Sequence, residues 1–217
     1  NIPVFANGDI DTPEKVKSIR DQYGLDGAMI GRASIGNPWF FNQVKEGIIL
    51  EDDCIPSTAF FRYCEWALSA FRDDRQVMHI NGNNFAAPLN LINDEVTFVA
   101  LPQVWGWASW SDRWELFEGN PFYLSRKADH KRWSLSLIAR FSKLKHLDSL
   151  KKGLDAWDYQ WQITVLNSRG LAVCPRVNLI SNVGVGSDAT HTANDKSRTF
   201  LQTGSFKRPS ELPPVVN

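Results

Sequence analysis

Three consecutive acids are the pattern in this 217-residue chain that could most directly do chemistry. Glu51, Asp52 and Asp53 follow the apolar run 47–50, which predicts a buried strand. Carboxylates at the C-terminal end of such a strand lie in the crevice where α/β sheets bind ligands, and hard cations such as Mg²⁺ and Mn²⁺ prefer carboxylate oxygens. Because side chains alternate along a strand, Glu51 and Asp53 share a side and Asp52 opposes them. The alternative is a solvated acidic turn that caps the next helix.

A fourth acid, Asp158, lies much further along the chain between Trp157 and Tyr159. A positioned carboxylate of this kind can accept the proton of an attacking hydroxyl group. The alternative is a helix cap, because the sequence around it predicts a helix start.

An aromatic pair and a histidine complete the set of candidate residues. Trp105 and Trp107 flank Gly106, and a glycine between two indole rings lets the backbone pass close to a sugar on which the rings could stack. Core packing is the alternative for these tryptophans. His191 ends a glycine-rich segment, and the alternative to a functional role is a surface histidine.

The elements that must position these residues are those of an α/β protein. Residues 2–6 predict a buried strand, Pro13 to Tyr23 a helix capped by Thr12, and residues 28–30 a second strand, which together form a β-α-β unit. Further along the chain, apolar runs and helical periodicities alternate. They predict strands at 46–50, 77–80 and 171–180, and helices at 58–72, 133–150 and 155–167.

Composition restricts the partners that we expect. Lysine plus arginine and aspartate plus glutamate balance at 24 each, so we expect no nucleic-acid partner, and the basic stretch 126–151 is predicted to be a solvated helix face. No apolar run approaches the roughly 20 residues that span a bilayer, and no signal peptide is visible. The three cysteines have no metal-type spacing, which favours free thiols and a cytoplasmic location.

The segment 47–57 resembles the acidic metal motif of GT-A glycosyltransferases. The most similar version is the Glu-Asp-Asp motif of N-acetylglucosaminyltransferase I-like enzymes and related bacterial family 2-like transferases. This resemblance implies that Asp53 binds Mn²⁺ or Mg²⁺, with Glu51 and Asp52 nearer to the nucleotide-sugar. It also implies that Asp158 is the catalytic base of an inverting transfer.

The same resemblance extends to the aromatic residues and the late histidine. It implies acceptor or sugar contacts at Trp105, Gly106, Trp107 and Trp157, and a second metal contact at His191. The implied reaction is metal-dependent transfer of a hexose or N-acetylhexosamine from a nucleoside diphosphate to a hydroxyl acceptor. The fold would be a partial GT-A (Rossmann-like) fold.

The first 38 residues resemble a different family. Asn7-Gly8-Asp9-Ile10 and the run 31–39, Gly-Arg-Ala-Ser-Ile-Gly-Asn-Pro-Trp, are similar to the tRNA-dihydrouridine synthases. The match covers the seventh strand, its helix and the eighth strand of their flavin-binding TIM barrel. It implies that Asn7, Gly8, Gly31 and Arg32 hold a flavin phosphate. Since a whole barrel needs about 250 residues, we do not expect this fragment to bind FMN.

We therefore predict a composite chain. Residues 1–38 form a β-α-β fragment resembling a TIM-barrel fragment, residues 39–195 a glycosyltransferase-like domain, and residues 196–217 a flexible tail. Activity is expected to be weak, because the segment that reads the nucleotide in GT-A enzymes precedes the acidic motif and is replaced here. The alternatives are a fragment of an FMN-dependent tRNA-dihydrouridine synthase and an inactive composite.

Overall fold

A computed structural model shows a mixed α/β fold, which confirms the predicted class at that level. The structure describes residues 5–7, 10, 12–24, 27–29, 46–51, 53–89, 93–126, 137–184 and 201–214. Within these residues, no helix combines the length and the apolar character that a bilayer crossing would require.

The N-terminal unit consists of two parallel strands joined by a helix. Strand β1 (Phe5–Asn7) pairs with β2 (Gly27–Met29), and helix α1 (Pro13–Tyr23) connects them. Helix α1 begins where predicted, because the Thr12 side chain accepts a hydrogen bond from the Lys15 backbone N–H at 3.3 Å. It ends at Gly24, whose φ of 62° is the left-handed conformation that stops helices. None of the eleven residues of α1, all of which the structure describes, is buried.

The larger part of the chain is built on a five-stranded mixed sheet with the strand order β3-β7-β5-β8-β6. Its strands are β3 (Glu46–Ile49), β5 (Val77–Asn81), β6 (Val96–Val99), β7 (Trp107–Trp110) and β8 (Leu171–Pro175). A separate antiparallel pair joins β4 (Cys54–Pro56) to β9 (Ile180–Asn182). Strands β3, β5 and β8 are parallel to one another, whereas β7 and β6 run in the opposite direction. The C-terminal ends of the three parallel strands therefore meet at one edge of the sheet.

Within the described residues, five α-helices accompany this sheet. They are α2 (Thr58–Ala70), α3 (Ser111–Trp114), α4 (Pro121–Arg126), α5 (Leu137–Lys151) and α6 (Trp157–Asn167). The predicted helices at 58–72, 133–150 and 155–167 correspond to α2, α5 and α6 with small differences at their ends, and residues 133–136 of the second lie outside the described residues.

Among the described residues, one buried cluster holds α2 on the sheet and another holds α6. Helix α2 contributes Phe60 and Tyr63 to one cluster, which includes Ala108, and the Tyr63 hydroxyl donates to the Val173 carbonyl at 3.1 Å. Helix α6 contributes Trp161 to a second cluster, which includes Trp107. Because Trp107 and Ala108 are neighbours on one strand, their side chains lie on opposite faces of the sheet. The sheet is therefore covered by α2 on one face and by α6 on the other.

Part of the segment predicted as a flexible tail contacts α2. Phe206 packs edge-on against Tyr63 with ring centroids 5.1 Å apart, and its centroid lies 5.4 Å from that of Trp66. The Gly204 backbone N–H also donates to the Asn178 carbonyl at 2.8 Å. These contacts attach residues around Phe206 to the larger core. The domain boundaries at residues 38 and 195 stay predictions.

Candidate functional site

The acids that follow β3 lie at the edge where the parallel strands end. Glu51 and Asp53 are half-buried and Cys54 is buried, and one potential ligand atom from each lies within 4.8 Å of the other two. The sequence predicts Glu51 and Asp53 at this strand end, and the structure adds Cys54 to them. Its position directly after the acids was the signal that could have found it. Asp52 lies outside the described residues.

Cys54 is a neutral thiol in this environment. Burial raises its pKa to about 12, and the negative charges of Asp53 and Glu51 add to the shift. The Cys54 thiol donates to the Asp53 carboxylate, with Sγ and Oδ1 3.6 Å apart. The Val183 backbone N–H donates to the Asp53 carbonyl at 2.9 Å, which joins this turn to the end of β9. The cluster is thus fixed by the β4–β9 pair.

Asp158 lies at the same edge of the sheet as Asp53. It occupies the first turn of α6, which leads into β8 and so begins near the end at which the parallel strands finish. The Trp157 ring stacks on Trp107 with centroids 5.9 Å apart and an angle of 27° between the planes. Trp107 in turn pairs with Ile49, the last residue of β3. The fold therefore brings both acidic sites to one side.

Packing accounts for the Trp-Gly-Trp sequence of the intervening loop. Trp107 is only 2% exposed, so its ring faces are covered by protein. Gly106 has a φ of 61°, and a Cβ atom there would lie 2.5 Å from Cδ1 of Ile180. The Trp105 ring packs edge-on against Phe85 at 4.8 Å. Of the four residues predicted to contact a sugar, Trp157 is the exposed one, with 38% of its surface accessible to solvent.

His79 is a buried neutral histidine behind this edge. Its Nδ1 accepts from the Trp161 indole N–H at 3.0 Å, so its Nε2 carries the proton and donates to the Gln103 carbonyl at 2.9 Å. The ring also stacks on Trp107 at 4.8 Å. Burial lowers the pKa of His79 to about 3, which keeps the ring neutral at physiological pH. His79 therefore organises the tryptophan cluster.

The residues predicted to hold a flavin phosphate are only partly described. Asn7 and Met29 are the last residues of β1 and β2 and are register partners. The chain therefore leaves both parallel strands at the same edge. Gly8, Gly31 and Arg32, and also the predicted metal contact His191, lie outside the described residues.

Comparison with known proteins decides which of the two resemblances is supported. The family model of dihydrouridine synthase (Dus) matches residues 1–77. Residues 1–77 are similar to dihydrouridine synthase. The tRNA-dihydrouridine synthase B of Pseudomonas aeruginosa is 54% identical over 44 residues, which cover 20% of this chain and 13% of that protein. The corresponding protein of Pasteurella multocida is 38% identical over 76 residues, covering 35% of this chain and 23% of that protein.

These similarities cover short parts of longer proteins. The tRNA-dihydrouridine synthase B of Xanthomonas campestris is 46% identical over 65 residues, or 28% of this chain and 19% of that protein. The chain spans about an eighth of the length of the Pseudomonas aeruginosa relative.

The glycosyltransferase prediction is wrong. The residues matched by the dihydrouridine synthase family include the acidic run at Glu51, Asp52 and Asp53 on which that prediction depended. The same similarity contradicts the predicted enzyme class, the predicted substrates (a nucleoside diphosphate sugar and a hydroxyl acceptor) and the Mn²⁺ or Mg²⁺ cofactor. It also contradicts the expectations that the protein has no nucleic-acid partner and binds no FMN.

The prediction failed because this fold brings acids such as Asp53 and Asp158 to one edge of the sheet, and such an arrangement is not specific to glycosyl transfer. In an α/β sheet, residues that follow parallel strands and residues that begin the crossover helices are collected at the same edge. Asp53 and Asp158 meet that description whatever the protein does. That they belong to a functional site stays a prediction.

Proposed function

We propose that the N-terminal β-α-β unit is the flavin-phosphate-binding segment of a dihydrouridine synthase, and that it serves FMN-dependent reduction of uridine in tRNA as part of such a barrel. The observation that carries the proposal is the family match over residues 1–77, together with the 54% identity over 44 residues to a tRNA-dihydrouridine synthase B.

The geometry of the unit is compatible with a phosphate site. In a TIM barrel, ligand groups come from the loops that follow the strands, and here β1 and β2 end side by side at Asn7 and Met29. Each strand end leads in sequence to a glycine, Gly8 or Gly31, and glycine lets backbone N–H groups approach an anion closely. Arg32 adds a guanidinium group that can bind phosphate through two parallel hydrogen bonds.

This segment contains residues that can bind the flavin phosphate, so its proposed role is to hold and orient FMN. When bound, FMN supplies the hydride chemistry, and this chain's residues are proposed to fix the phosphate and so orient the cofactor. A complete barrel needs about 250 residues, so the ring-binding walls and the groups that contact uridine come from the rest of the barrel.

A segment exchange tests the proposal. The matched 44-residue segment of the Pseudomonas aeruginosa relative is replaced by the corresponding residues of this chain. The purified chimera is expected to retain one FMN, measured by flavin absorbance, and to form dihydrouridine in unmodified tRNA. The Arg32→Ala variant of the chimera should bind FMN at least about tenfold more weakly, since a charge-assisted hydrogen bond contributes about 1.5–3 kcal/mol.

The matched control is Arg20→Ala, which removes the same guanidinium from the exposed side of α1. Its FMN affinity should stay within about twofold of that of the chimera. A chimera that folds with an intact far-ultraviolet circular dichroism spectrum but carries no flavin would show that the segment does not hold the phosphate.

A further inference from the structure

Helix α5 presents one strongly exposed side that mixes cations with apolar residues. We call this side the outer face of α5 and define it by Arg140, Phe141, Leu144, Lys145, Lys151 and Lys152, the last of which directly follows the helix. At about 100° per residue, these positions fall within roughly 140° of one another around the helix axis. The opposite side carries the buried residues Ala139, Lys143, Leu147 and Leu150.

The buried side of α5 packs against α6, which leaves the outer face toward solvent. Leu147 and Leu150 form a cluster with Ile163 of α6. The Lys143 ammonium also donates to the Asn167 side-chain carbonyl at 2.5 Å across the same interface.

The apolar residues distinguish this face from the solvated helix face that the sequence predicted. Phe141 is 71% exposed and Leu144 is 64% exposed. They are three positions apart and therefore adjacent on the helix surface. A phenyl ring held in water by a rigid helix is suited to stacking on a planar partner.

Positive charges outnumber negative charges around Phe141. Four cationic side chains belong to the outer face, and the carboxylate that lies among them, Asp148, forms an ion pair with Lys152 at 2.6 Å. Four positive charges against one negative leave an excess of three. This local excess stands out because the chain as a whole has a formal net charge of zero.

We propose that the outer face of α5 binds single-stranded RNA, with its cations on the phosphates and Phe141 stacked on an unpaired base. Single-stranded RNA segments are recognised through this combination of basic groups and exposed aromatic rings. The choice of RNA over another polyanion rests on the proposed function. Helix α5 lies outside residues 1–77, so the family match does not assign it a role.

Fluorescence anisotropy of the full 217-residue chain with a labelled oligouridylate of roughly 12 nucleotides tests the surface. With about three phosphates neutralised, the logarithm of the association constant should fall with the logarithm of salt concentration with a slope of about −2. The double variant Lys145→Glu with Lys151→Glu should weaken binding at least about tenfold, and Phe141→Ala about fivefold or more.

Two matched variants serve as controls. Phe122→Ala removes a phenyl ring that is 70% exposed on α4, and Lys17→Glu with Arg20→Glu makes the same charge reversal on the exposed side of α1. Both should bind the oligonucleotide within about twofold of the unsubstituted chain.

Three results would overturn the inference. The first is that the chain does not bind the oligonucleotide at about 50 mM salt, and the second is that the charge reversals on α5 and α1 weaken binding equally. The third is that light scattering shows a dimer that Phe141→Ala abolishes while RNA binding is unchanged. The last result would identify the outer face as a self-association surface. If the full chain did not bind RNA while the chimera retained flavin, this inference alone would fail. If the full chain bound RNA while the folded chimera carried no flavin, the proposed function alone would fail.

Discussion

The N-terminal β-α-β unit and the five-stranded sheet are stabilised in different ways. Helix α1 has no buried residue and is defined by local signals, namely the Thr12 cap and the left-handed Gly24. Helix α2 buries seven residues against the sheet, including Phe60 and Tyr63, which are fully buried. The first unit is therefore specified by its own sequence, whereas the second depends on contacts between distant segments.

Similarity to known proteins is distributed differently from packing. The dihydrouridine synthase match ends at Val77, which is the first residue of β5. It includes β3 but not β7, although β3 and β7 pair antiparallel from Glu46↔Trp110 to Ile49↔Trp107. The matched residues are thus not a folding unit in this structure. The function proposed for the first region and the stability of the second must therefore be measured separately.

The largest expected effect comes from Trp161→Ala in the second region. Trp161 is fully buried, packs against Met78 and Val165, and donates to His79. Removing the indole should lower the free energy of unfolding by about 3–5 kcal/mol, because a cavity and an unpaired His79 nitrogen remain. Urea unfolding followed by circular dichroism measures the loss.

Trp157→Ala is the control, since Trp157 is 38% exposed and its loss should cost about 1 kcal/mol. Hydrogen exchange would extend the test to the first region. If Trp161→Ala reduced the protection of α1 amides as much as that of β5 amides, the two regions would unfold as one unit, and the first would not be specified by its own sequence.

An intermediate effect is expected from acidification. The pKa of His79 is about 3 in the folded protein, whereas a histidine exposed in the unfolded chain has a pKa of 6.5. His79 therefore binds a proton more readily in the unfolded chain. The stability that neutral His79 contributes is fully present above pH 6.5 and is lost as pH falls toward 3. Between pH 7 and pH 5 the loss should be about 2 kcal/mol.

Urea unfolding at a series of pH values measures this loss. In His79→Leu, stability should fall about 2 kcal/mol less over the same range, even though the variant is less stable at pH 7. His146, whose pKa is lowered by burial and then by Lys145, is a half-buried comparison, and His146→Gln should change the pH dependence much less. Equal effects of the two substitutions would contradict the assignment to His79.

Local structure was predictable from the sequence where local signals determine it. The β-α-β unit, the Thr12 cap and the approximate extent of α2 and α6 all follow from patterns within about fifteen residues. The antiparallel pairing of β3 with β7 was not predictable, because it joins segments far apart in the chain and no local pattern specifies a partner.

The function was misjudged because packing and chemistry use the same residue types. Trp107 and Gly106 resemble a sugar-binding loop, yet one is a core residue and the other is a glycine because Ile180 leaves no room for a side chain. Glu51 and Asp53 follow strand β3, at the strand end where the sequence predicts them. Their position could not say which chemistry, if any, occurs there.

The smallest expected effect compares one glycine from each region. Gly24 and Gly106 have nearly the same φ, 62° and 61°, so alanine at either position costs the strain of a left-handed residue, about 1 kcal/mol. A Cβ atom at Gly24 meets nothing within 4 Å, whereas at Gly106 it would lie 2.5 Å from Cδ1 of Ile180. Gly106→Ala should therefore lower the unfolding free energy by about 1 kcal/mol more than Gly24→Ala, as measured by urea unfolding, because the crowded atom is the end of a side chain that can move partly aside. If the two substitutions lowered the unfolding free energy equally, Ile180 would move aside freely. The packing around Gly106 would then be no tighter than the packing around Gly24.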